Sequence, residues 1–271
     1  MRASRSGKGQ WAAAALVGLA LAGPPAPAQE MLRYLDLKSE EFTKADVSRA
    51  EIEAALAAAG PTGLVDLTGR RLNGLDLSAL DLRRIKLQAA RLNKAKLAGA
   101  NLDGVVLDQA WALGADLSGA TLRGASLFAT QLQDARLDRA DLSGARVAAD
   151  LTRASLIEAR FDGANLSADM RNQSMGLMRG VMRSAKLDRA SFANANLARV
   201  ALEFASLRGA NLRGAKLTGA ELAGADLEGA DVTEADFENA DVTSARLLRL
   251  QGRAQAKNFQ GLKTLDRAIV D

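Results

Sequence analysis

The chain has 271 residues, with thirty-six Lys and Arg and thirty-two Asp and Glu, but no His and no Cys. The commonest general base, the thiol nucleophile and the usual zinc ligands are therefore missing, so neither catalysis nor a cofactor is expected. Carboxylates recur every five residues, as at Asp226, Asp231, Asp236 and Asp241. On successive faces of a coil such groups form a belt. They cannot converge within about 2.5 Å of one cation, so no metal site is expected there. Met175, Met178 and Met182 offer thioethers, which select soft ions such as copper(I), and a soft-metal loop is one alternative function. Two apolar groups stand out of phase with the rest. Trp111, Leu113 and Phe128 fall on outward positions. Met170, Met175, Leu177 and Met178 gather where the chain's pattern fails. Both groups are candidate contacts for a protein partner.

That pattern is a five-residue repeat. Ala115-Asp116-Leu117-Ser118-Gly119 returns as Ala140-Asp141-Leu142-Ser143-Gly144 and as Ala225-Asp226-Leu227-Glu228-Gly229. Extended backbone alternates its faces, so the small residue and the Leu point one way and the two polar residues the other. The next apolar residue then arrives one step late, which requires a corner after each short extended piece. Gly at the corner supplies permissive backbone. A chain that turns the same way at each corner winds into a solenoid, with Leu and Ala inside and successive coils paired as strands.

These units resemble the pentapeptide-repeat family, from about Gly63 to Ala168 and again from about Gly180 to Arg249. The resemblance implies an all-β solenoid, a right-handed quadrilateral β-helix with four pentapeptides per coil and short helical caps at its ends. Some relatives protect gyrase by imitating duplex DNA with a strongly acidic surface, which makes DNA mimicry a second alternative. This chain departs from that pattern, because basic residues alternate with the acids, as in the ladder Asp76, Lys96, Asp116, Arg136. No nucleic-acid partner is expected.

In chain order, residues 1–28 read as a signal peptide. Arg2, Arg5 and Lys8 precede a short apolar run, and Ala26-Pro27-Ala28 matches a cleavage site. Cleavage would remove three positive charges and no acid, taking the net charge from +4 to +1. The expectation is a periplasmic or secreted protein without a membrane anchor after cleavage. Residues 29–62 form an N-terminal segment, in which Tyr34–Leu37 alternates like a short strand. Ser48 and Glu51 form a capping box for a helix to about Ala59 that covers the open coil end. Residues 63–168 are the first block of coil. One residue is missing after Ala148, and the run stumbles where Ala112 takes a core slot. A local register slip that lets Trp111 fill the resulting gap is the alternative to a contact patch. Residues 169–179 are an interruption, and 180–249 are the second block. Residues 250–271 form a C-terminal cap, with Leu262, Leu265 and Ile269 spaced for one helical face. A homodimer through a coil end is open. The function that fits is a non-catalytic binding or scaffold protein of the bacterial envelope with an unknown protein partner.

Overall fold

The computed structural model describes residues 35–170, 178–262 and 264–271, and residues 36–271 form one compact unit. Its backbone is a stack of four-sided coils. Four ladders of parallel bridges run up the stack: Arg71, Arg91, Trp111 and Gln131 on the first face, and Asp76, Lys96, Asp116 and Arg136 on the second. Asp81, Asn101, Thr121 and Asp141 lie on the third, and Val106, Ser126, Arg146 and Asn165 on the fourth.

One pentapeptide shows why the sequence folds this way. The Asp116 N–H donates to Ala95 O of the coil before it, while Leu117 N–H and Gly119 N–H donate to Arg136 O and Asp138 O of the coil after it. The Ala120 N–H closes the corner on Leu117 O at 3.0 Å. The fifth donor, Ser118 N–H, is taken by the Asp116 carboxylate at 3.0 Å. Every backbone donor of the unit is thus satisfied, as buried or half-buried amides require. Where an Asp or Asn precedes the Leu, as at Asp76, Asp141 and Asn101, it holds that fifth N–H in the same Asx turn. The third corner residue is left-handed: Gly119 has φ 64°, and Ala79, Ala89 and Ala129 adopt 58°, 54° and 57° at equivalent places.

The interior is a column of Leu and Ala. Leu72, Leu92, Leu102 and Leu122 are fully buried, as are Leu142, Leu187 and Leu227. Phe161 stacks on Phe192 inside the column, with centroids 4.9 Å apart. The stumble at Ala112 is not a slip. Trp111 bridges Arg91 and Gln131 in unbroken ladder order. The missing Leu volume remains as a hollow of about 10 Å³ lined by Ala112, Leu92, Leu132 and Thr130. Trp111 lies outside it.

The N-terminal segment runs onto the first face as well as the coil end. Two helices form there, α1 (Glu40–Thr43) and α2 (Arg49–Ala58). Ser48 caps α2 in a reciprocal capping box with Glu51. Ile52 of α2 is buried in the core beside Val65 and Leu67. The strand expected around Leu35–Leu37 does not form; Asp36 instead opens a turn, its O accepting from the Ser39 N–H. Phe42 of α1 is buried and meets the Trp111 ring edge-on at 5.3 Å, with the Arg91 guanidinium over its own ring, 5.4 Å from the centroid. Asn73 Nδ2 donates to Glu41 O and Lys44 O, both at 3.0 Å.

The C-terminal cap is also built differently from the single helical face its spacing suggests. Two 3-10 turns, Arg253–Gln255 and Leu265–Arg267, lead to a strand, Ile269–Val270, which pairs in parallel with Arg246–Leu247. Leu262 is buried, Leu265 half-buried and Ile269 exposed, because the ladder's unpaired strand edge recruits the tail as one more rung.

Candidate functional site

Two places break the twenty-residue register between Arg71 and Asp236. Gln131 pairs with Asp150, nineteen residues on, and Asp150 pairs with Val181, thirty-one on. Both breaks fall at the corner between the fourth and first faces, on consecutive coils. At the lower one, residues 147–149 pass without a turn or a left-handed residue. At the upper one the corner bond is still made, since Gly180 N–H donates to Leu166 O at 2.9 Å, although eleven more residues separate its two ends than at a regular corner. Gly180 is closely fitted: a Cβ there would stand 3.2 Å from both Leu166 Cβ and Val200 Cγ2, so those neighbours would have to give by a few tenths of an ångström.

Both stems of the extrusion are fixed. Asp169 N–H donates to Met178 O at 2.8 Å. Arg179 reaches Glu221, two coils away, through two bonds of 2.7 Å, and also donates to Arg199 O. Burial pushes the Glu221 carboxyl up, but Arg179 and Arg183 outweigh it and hold the group below its ordinary range. Arg183 also donates to Glu203 at 2.8 Å.

Beside the first stem lies a cleft of about 550 Å³, lined by Arg146, Asn165, Ser167, Ala168, Asp169 and Met170. Met170 is 49% exposed. Arg146 is the link to the coil below: its Nη2 lies 3.3 Å from Asp169 Oδ2, and its guanidinium sits over the Phe128 ring, 4.6 Å from the centroid. The structure therefore gathers Phe128 and Met170 around one arginine. It does not bring Trp111 and Leu113 into that group. Trp111 is half-buried under Phe42, and Leu113, also half-buried, donates its N–H to Oδ1 of the buried Asn93 side chain. Met178 is half-buried, and Met175 and Leu177 lie outside the described residues. Met182 is wholly buried in the core. Arg146 and Asn165 were missed in the sequence because each reads as an ordinary rung. Phe204, at 71% exposure over Gly224, was missed too, since nothing marks its unit as irregular.

Several outward acids elsewhere are held by neighbouring side chains. Asp116, Asp141 and Asp231 are pushed up by burial, but the Ser118, Ser143 and Thr233 hydroxyls and N–H groups hold all three below the ordinary range. The Arg83 guanidinium lowers Asp81 from 3.8 to about 2. Among the described residues no group of acids could hold a metal ion, and no helix is long and apolar enough to cross a membrane.

Comparison with known proteins places this architecture. The family model for pentapeptide repeats matches in eight copies, over residues 71–144, 147–168 and 181–247. No curated protein matches. Among solved structures, the chain is similar to HetL, a pentapeptide repeat protein involved in heterocyst differentiation regulation from the cyanobacterium Nostoc sp. strain PCC 7120. The two are 29% identical over 78% of this chain and 92% of that one, with a TM-score of 0.52. Rfr23, from the cyanobacterium Cyanothece 51142, is 34% identical over 40% of this chain and 64% of its own, with a TM-score of 0.32. QnrB1, a plasmid-mediated fluoroquinolone resistance protein, is 20% identical over 74% and 89%, with a TM-score of 0.44. With most of its length matched by the repeat model and its four bridge ladders in place, the chain belongs to the pentapeptide-repeat family of right-handed quadrilateral β-helices.

Proposed function

We propose that the protein is a non-catalytic binding or scaffold protein of the bacterial envelope, and that its partner docks at the broken corner. The observation that carries this reading is the coincidence of both register breaks on one edge, where they open the cleft beside Met170. A coil needs neither break to stand, and irregularity in a repeat array maps to loops on one side, often the binding side. Export follows from the basic start, the short apolar run and Ala26-Pro27-Ala28, all outside the described residues. DNA mimicry is disfavoured by the pairing of the surface acids with Arg, Ser and Thr. A soft-metal role is disfavoured by the burial of Met182.

The test is capture from a periplasmic extract by the intact chain and by a variant lacking residues 170–177. One abundant partner lost with the segment supports docking at this corner. Equal recovery by both moves the contact elsewhere. A gyrase supercoiling assay separates the mimic, and an N-terminus at or near Gln29 by mass spectrometry supports export.

A further inference from the structure

The cleft's donors are unbalanced. Arg146 carries five N–H donors in a fixed fork, and its side chain is 49% exposed. Among the described residues its partners are Asp169, through one nitrogen, and the face of Phe128. A ring beneath the guanidinium holds the plane in place without consuming a donor. Asn165 lies on the next rung of the same ladder. Its Oδ1 accepts from the Ser167 N–H at 3.1 Å and from the Ser167 hydroxyl at 2.7 Å. That double contact fixes the amide's orientation and turns its NH₂ away from Ser167. No bond of this NH₂ is formed among the described residues. The cleft is thus lined by a guanidinium held over a ring and by the neighbouring Asn165 amide, beside the exposed Met170.

We propose that this cleft, on the docking reading above, recognises the carboxylate of an acidic side chain in the partner, with an apolar neighbour of that residue resting on Met170. A planar carboxylate matches the guanidinium fork two bonds at a time. Asp169 decides against a phosphate group: its own charge, 3.3 Å from Arg146, repels a dianion more than a monoanion. Asp169 also sets the affinity. It neutralises part of the arginine's charge, so the site is specific for its ligand's shape and weak on its own, as suits one contact within a larger surface.

The test uses the full chain, labelled with nitrogen-15, and follows the Arg146 Nε–H and Asn165 NH₂ signals. The probes are N-acetyl-Glu-Leu-amide, N-acetyl-Gln-Leu-amide and inorganic phosphate at low salt. The Glu peptide is expected to shift both signals saturably, with the Gln peptide and phosphate at least tenfold weaker. Arg146→Gln should abolish the response while the backbone spectrum elsewhere overlays the parent. Asp169→Asn should tighten the Glu peptide several-fold. Equal responses to Glu and Gln peptides, no response to either, or tighter binding of phosphate would overturn the proposal. Partner capture lost on deleting residues 170–177 but unchanged in Arg146→Gln would also overturn it, leaving the docking corner in place.

Discussion

Two corners of the same coil are made from the same pentapeptide and keep its register differently. At the corner between the second and third faces, Gly99, Gly119 and Arg139 repeat one left-handed turn, and at Gly119 each amide of the unit is bonded to a neighbouring coil, across the corner or to the Asp116 carboxylate. The corner between the fourth and first faces begins that way and then loses one residue and gains eleven, on successive coils. The hydrogen bonds that define a turn survive the gain, because Leu166 O still finds the Gly180 N–H. A solenoid coil is closed by a few local bonds, so a corner can extrude a segment without disturbing the core. Specific recognition can then be added to a fold whose faces are otherwise repetitive.

The largest expected effect separates the core from either corner. Leu142 is wholly buried, and Leu142→Ala should cost about 2–5 kcal/mol in chemical denaturation, through lost burial and the cavity left behind. Leu142→Asp should prevent that stretch from folding, since its charge has no partner inside the column. A smaller effect is expected at the regular corner. Gly119 has open space around it but φ 64°, so Gly119→Ala should lower stability by about 1–2 kcal/mol from backbone strain alone.

The regular faces should also respond to acid. Asp81 titrates at about 2 when folded against 3.8 ordinarily, so its contribution is present above about pH 4 and lost as the pH falls towards 2. Asp76, Asp116 and Asp141 are shifted in the same direction. Melting temperature should be level from pH 7 to 5 and fall between pH 4 and 2; a level profile down to pH 2 would remove these contacts from the account. The smallest effect is expected at the broken corner. Met170→Ser should change stability by less than about 0.5 kcal/mol, as the side chain is half exposed. A marked loss there would make the segment part of the core's packing.

Much of this was legible in residues alone. The phase of Leu and Ala fixes which side chains are inside, and Asp76, Lys96, Asp116 and Arg136 stack as that phase requires. Ser48 and Glu51 announce their helix through a local bond. Contacts across long separations were not legible. Nothing near Phe42 in sequence says that it will cover Trp111, and nothing near Arg146 says that it joins Phe128 to Asp169. The C-terminal tail misled for a related reason. Leu262, Leu265 and Ile269 have helical spacing, but the open rung at Arg246–Leu247 offers a strand partner that outweighs local propensity.

The central claim is that the partner meets the broken corner and not the regular one. The direct measurement is photo-cross-linking in cells, with a photoreactive residue placed at Ser167 in one variant and at Ser118 in another. Both serines are half-buried and donate their N–H to the Asp or Asn side chain two residues before them, Ser167 in the cleft and Ser118 at the corner between the second and third faces. A discrete adduct at Ser167 and none at Ser118 is the predicted result. An adduct at Ser118 with none at Ser167 would contradict it.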